Sequence, residues 1–138
     1  MPSPETTLPN LRVFMVEDEA LVALNLEDML LDLGCTLVAS AMHIEAALDI
    51  IAQGLSVDVA ILDVNLGGQP VFPVAEKLAE AGVTIVFATG YGRGGLPEEW
   101  RDRQVLQKPY TQDEVAACLQ AAVAAPAETA GTGSGISA

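Results

Sequence analysis

Basic residues are scarce in this chain. Six Lys and Arg stand against 19 Asp and Glu in 138 residues, a formal net charge of −13. Such a field repels phosphate backbones and disfavours direct nucleic-acid binding, while leaving room for a divalent cation or a basic partner surface. Histidine is rarer still: His43 stands alone near a helix start and reads as a surface residue, not a phosphate carrier. Cysteine is limited to Cys35 and Cys118, far apart and without metal-ligand spacing, so both read as small buried hydrophobes in a reducing compartment. No apolar run approaches the ~20 residues of a membrane span. Leu21 to Leu33 is interrupted by Asn25, Glu27, Asp28 and Asp32, which makes it an amphipathic helix. No basic, apolar, small-residue signal opens the chain, which predicts a cytoplasmic protein. Internal repeats and a second domain are also lacking. With 51% hydrophobic residues, the chain is long enough to bury one core without covalent staples.

What is there centres on Val57-Asp58-Val59-Ala60-Ile61-Leu62-Asp63. A short run without a polar alternate face predicts a strand buried on both sides, in the middle of a parallel sheet. Upstream, residues 1–10 read as a flexible leader, Leu11 to Val16 as a first strand, and the acidic Glu17-Asp18-Glu19 as its end. The helix that follows carries Val22, Leu26, Met29, Leu30 and Leu33 on one face and stops at Gly34. Leu37-Val38-Ala39 centres a second strand, and a helix over about 43–53 ends before Gly54. After Asp63, residues 65–70 read as a loop, with a helix from about Phe72 to Ala81 that takes Pro73 in its first turn. Val83 to Ala88 is a fourth apolar strand ending at Thr89. Gly90-Tyr91-Gly92-Arg93-Gly94-Gly95 is too rich in glycine for a stable helix, and only a short turn starting near Pro97 is expected there. A short strand around Val105-Leu106-Gln107 leads into Lys108-Pro109. Thr111 and Glu114 form a capping box for a last helix bearing Val115, Leu119 and Val123. Residues 126–138 have the composition of a disordered tail. Five strands alternating with helices predict a doubly wound α/β domain over 11–125, with the helix after the fourth strand short or replaced by a glycine-rich loop.

Four of those strands end in a chemically pointed residue: Glu17 and Asp18, then Asp63, Thr89 and Lys108. In a parallel sheet all carboxyl ends share one edge, where such folds bind ligands, so these groups should converge. Each could serve alone as a cap or a solvated charge. Together, three neighbouring carboxylates demand protonation or a cation. Ligands that are all oxygen favour a hard ion, Mg²⁺ above all. Lys108 adds a point charge and Thr89 a hydroxyl, donors that suit phosphoryl oxygens. The chemistry that uses this set is attack by an Asp carboxylate on phosphorus, giving an aspartyl phosphate.

Glu17-Asp18, Asp63 with Asn65 two residues on, Thr89, and Lys108-Pro109 resemble the receiver domain of two-component response regulators, across about Leu11 to Ala124. Phe87-Ala88-Thr89-Gly90-Tyr91 further resembles the single-domain subgroup with a Phe-Ala-Thr-Gly-x-Tyr-type motif, although Tyr91 here follows Gly90 directly. The resemblance implies a flavodoxin-like five-stranded sheet of order 2-1-3-4-5. It implies Asp63 as phosphoacceptor, Glu17, Asp18 and Asp63 with the Asn65 carbonyl around Mg²⁺, and Thr89 and Lys108 on the phosphoryl oxygens. Pro109 would hold the lysine loop. The donor would be a phosphohistidine on a sensor histidine kinase or phosphotransfer protein. The chemistry would be limited to the domain's own phosphorylation and dephosphorylation, so it is not expected to be an enzyme in the wider sense.

The position three before the lysine, aromatic in many receivers, is Val105 here, which leaves Tyr91 and Tyr110 as candidate switch residues beside Thr89. The glycine-rich segment over residues 90–100 is a candidate for ordering on phosphorylation. With only residues 126–138 after the last helix, output is expected through a downstream protein partner or by draining phosphate from a shared kinase. A phosphatase using the same intermediate would want a second Asp where Asn65 stands. A flavin binder would want a phosphate-cradling loop where Glu17-Asp18-Glu19 stands. A receiver that never takes phosphate would not need the complete acidic set.

Overall fold

The computed structural model describes residues 8–91 and 93–124. The expectations for residues 1–7, for Gly92 and for the tail at 126–138 lie outside them. The described residues form seven strands and four α-helices. They are β1 (Arg12–Val16), α1 (Ala20–Asp32), β2 (Thr36–Ala41), α2 (Ile44–Ala52), β3 (Val59–Asp63), β4 (Asn65–Leu66), β5 (Gln69–Pro70), α3 (Phe72–Glu80), β6 (Thr84–Thr89), β7 (Gln104–Gln107) and α4 (Gln112–Ala124). Five strands form a parallel sheet in the order β2-β1-β3-β6-β7, the expected topology once the two short strands are set aside.

β3 is buried at every residue, from Val59 to Asp63. Its alternate side chains feed two separate cores. Val59 and Ile61 join Val13, Met15, Val86, Ala88 and Leu106 under α1 and α4. Ala60 and Leu62 join Phe14, Ile85 and Phe87 under α2 and α3. The residues expected on the buried face of α1 are placed there, with Leu26, Leu30 and Leu33 buried and Met29 packed against them. Leu21, Leu24 and Leu31 lie on the opposite, exposed side. The Thr111–Glu114 box is reciprocal: the Glu114 N–H donates to Thr111 Oγ1 at 3.2 Å and the Thr111 N–H to Glu114 Oε1 at 2.8 Å.

Three expectations need correction. Residues 65–70 are not an open loop but an antiparallel hairpin, Asn65 opposite Pro70 and Leu66 opposite Gln69. Gly67 (φ +57°) and Gly68 (φ +87°) supply the left-handed pair that a two-residue hairpin turn requires. The leader boundary falls too late, because Leu8 is buried in the first core and its N–H donates to the Leu33 carbonyl at 2.7 Å. Val123 is 43% exposed while Ala122 takes its place in the core. As expected, the described residues of the glycine-rich stretch form no α-helix, only a 3-10 turn at Arg93–Gly95.

A second 3-10 turn follows at Glu98–Trp100, just after Pro97 as expected. Leu96 and Trp100 pin this segment to the second core. The Trp100 ring lies 5.6 Å from Phe87 edge-on and 6.3 Å from Phe72 in a stack, and Arg103 covers it at 5.1 Å. The segment after β6 is thus anchored at its far end without being a helix.

Candidate functional site at the carboxyl edge of the sheet

The topology brings the residues singled out in the sequence to one edge. β1 delivers Glu17, whose N–H is held by the Ala41 carbonyl at 3.0 Å, and then Asp18. β3 delivers Asp63 and β6 delivers Thr89, both buried. β7 delivers Lys108, whose N–H donates to the Thr89 carbonyl at 2.9 Å.

Glu17, Asp18 and Asp63 each present a carboxylate oxygen within 4.8 Å of the other two. Lys108 Nζ reaches Glu17 Oε1 at 2.9 Å and Asp63 Oδ2 at 3.3 Å. The second Glu17 oxygen accepts the Glu19 N–H at 3.1 Å. The other Asp63 oxygen accepts the Asn65 N–H at 3.4 Å, a long bond. Asp18 Oδ2 accepts the Gly67 N–H at 2.8 Å. Thr89 Oγ1 accepts the Tyr91 N–H at 3.1 Å, which leaves its own hydrogen to be donated elsewhere.

Burial pushes the Glu17 carboxyl above its ordinary range, against the opposing pull of its hydrogen bond to Lys108. At Lys108 burial favours the neutral amine, but the bond to Glu17 and the charges of Asp63 and Glu17 outweigh it. Lys108 is therefore raised and stays an ammonium. One ammonium facing three carboxylates leaves the cluster short of positive charge. A hard cation with oxygen ligands would supply it, and the donor set is of that kind.

A cleft of about 410 Å³ opens over Asp63, between the hairpin residues Asn65, Gly68 and Pro70 on one side and Thr89, Gly90, Tyr91 and Gly95 on the other. Lys108 also lines it. Of the two tyrosines, Tyr91 stands at this cleft, 86% exposed. Tyr110 lies in a separate groove with Glu19, Val22 and Asn25 and packs on the first core. Its hydroxyl is pushed up to about 12, by burial first and by the Glu17 charge second. Val105 is half-buried against the second core and pairs with Phe87. His43 is exposed just ahead of α2, and both cysteines are buried.

The sequence reading missed the hairpin's part in the site. Gly67 and Gly68 are adjacent, a two-residue turn signal, but the contact of Gly67 with Asp18 spans 49 residues and has no local signature.

No protein-family model matches the chain, and no curated protein does. Solved structures do match. The solution structure of SdrG from Sphingomonas melonis Fr1 is 44% identical over 83% of this chain and 97% of its own, with a TM-score of 0.73. The PhyR response regulator REC domain of Erythrobacter litoralis, at 21% identity, covers 93% of this chain and 98% of its own at a TM-score of 0.76, and so attests the fold. This chain is a response regulator receiver domain. A structure of the BeF3-activated conformation of SdrG is 43% identical over 84% of this receiver and 99% of its own length, with a TM-score of 0.72. No helix among the receiver's described residues is long and apolar enough to cross a membrane.

Proposed function

We propose that this receiver accepts a phosphoryl group on Asp63 from a phosphohistidine of a sensor histidine kinase or phosphotransfer protein. The observation that carries the proposal is the Lys108 ammonium, 3.3 Å from an Asp63 carboxylate that opens into a cleft shared with the Thr89 hydroxyl. An Asp63 oxygen attacks phosphorus, a P–O bond forms, the P–N bond breaks and the imidazole leaves. Lys108 and Thr89 bind the oxygens of the transferred group, so that positioning and charge do most of the catalysis. Glu17, Asp18 and Asp63, with the Asn65 carbonyl, would hold Mg²⁺, which when bound neutralises charge on those oxygens. Hydrolysis of the acyl phosphate returns the domain to its starting state, and no other reaction is assigned to it. Output is through a downstream protein partner or by draining phosphate from a shared kinase, in the cytoplasm.

The test is phosphoryl incorporation from a small-molecule phosphodonor with Mg²⁺, comparing the native chain with Asp63→Asn and repeating it with phosphorylated kinases. Label on the native chain alone, lost on chelation, is the expected result. Equal label on both chains would move the acceptor away from Asp63 and overturn the proposal.

A further inference from the structure

We infer that Gly67, through its backbone N–H, is a positioning residue that orients the Asp18 carboxylate for the cation. This rests on the reading that Glu17, Asp18 and Asp63 hold Mg²⁺. Asp18 lies between β1 and α1, only partly buried, and a carboxylate there can rotate unless something holds it. Among the described residues, Gly67 supplies that hydrogen bond, at 2.8 Å to Oδ2. That bond restrains rotation of a carboxylate that also offers an oxygen to the cluster with Glu17 and Asp63.

The hairpin is built to keep its tip in place. At its base the Val71 N–H donates to the Val64 carbonyl at 3.0 Å, and the Val64 N–H to the Ala88 carbonyl at 3.1 Å. Leu66, one residue before the tip, is 4% exposed and seated in the second core. The turn itself depends on left-handed backbone at both glycines. A Cβ on Gly67 would lie 4.0 Å from Asp18 Oδ2, an ordinary contact, so substitution there acts through φ +57° and not through crowding. Asparagine tolerates that conformation, while a β-branched residue resists it.

The experiment is calorimetric titration of Mg²⁺ into the native chain, Gly67→Val and Gly67→Asn, with circular dichroism to establish that each is folded. The valine variant should bind Mg²⁺ about tenfold more weakly, the low end for loss of a group that orients a metal ligand. The asparagine variant should bind close to the native affinity. Gly67→Ala, with milder strain, decides the point should the valine variant not fold. Equal affinities for native and Gly67→Val would overturn the positioning role while leaving the metal site standing. Tighter binding by Gly67→Val would overturn it too, showing that the N–H competes with the cation. No binding by the native chain would remove the metal reading and this role together.

Discussion

Replacing Trp100 with alanine should cost about 3–5 kcal/mol of folding free energy. An indole of this kind buries about 150–250 Å². At about 25 cal/mol per Å² that is roughly 4–6 kcal/mol, of which the alanine Cβ keeps a part. Trp100 is 6% exposed, and its contacts with Phe72 and Phe87 leave little to collapse into the space. One feature works the other way: Trp100 Nε1 is buried without a hydrogen-bond partner among the described residues. An unsatisfied donor costs about 1–3 kcal/mol, so Trp100→Phe, which drops the donor and keeps a ring, should lose less than about 1.5 kcal/mol. Urea unfolding followed by far-UV circular dichroism is the assay, because Trp100 is the chain's single tryptophan and both variants lose its fluorescence. A 3–5 kcal/mol loss corresponds to a fall in Tm of roughly 10–20 °C. If alanine cost under about 1 kcal/mol, or phenylalanine as much as alanine, the segment would not be docked by this ring as described. The stakes extend to the cleft, since Gly90, Tyr91 and Gly95 line it from the stretch that Trp100 anchors.

Further outcomes attach to three residues, Tyr110, Glu17 and Thr111. Tyr110→Phe should gain about 1 kcal/mol in chemical unfolding, because it removes a buried hydroxyl that has no partner among the described residues. The same tyrosine should titrate by ultraviolet absorbance near 12, and its contribution to stability, full below 10, should fade as pH rises through that window. Glu17→Gln should raise Tm at pH 7 in metal-free buffer, measured by thermal melting with and without Mg²⁺. A carboxyl raised by burial favours its protonated form, so its contribution is present at low pH and lost as pH rises through the folded value. Thr111→Ala should cost about 1 kcal/mol in the same melts, through loss of one half of the capping box that starts α4.

The sheet was legible because strands buried on both faces read as unbroken apolar runs, which Val59–Leu62 and Ile85–Ala88 are. Strand order then brought Glu17, Asp18, Asp63, Thr89 and Lys108 to one edge before any distance was known. What stayed hidden was set by long-range contact. The burial of Leu8 depends on the carbonyl of Leu33, and the tip of the β4–β5 hairpin depends on Asp18. Periodicity placed Val123 inside, but the core beneath α4 is already met by Leu119 and Ala122. Helical period also cannot reveal that Leu21, Leu24 and Leu31 face outward, since leucine carries the same signal on either side of a helix.

The two cores divide the sheet edge as well as the interior. Asp63 continues the side of β3 that carries Val59 and Ile61, beneath α1 and α4. Thr89 continues the side of β6 that carries Ile85 and Phe87, the layer that holds Trp100. Neighbouring strands therefore carry Asp63 and Thr89 on opposite faces. Under the phosphorylation proposed above, a displacement at Thr89 would press first on the aromatic layer, while a change around Asp63 and Lys108 would be met by the helices on the other side. The sheet acts as a party wall, and a protein seated against one face can be insulated from what happens behind it.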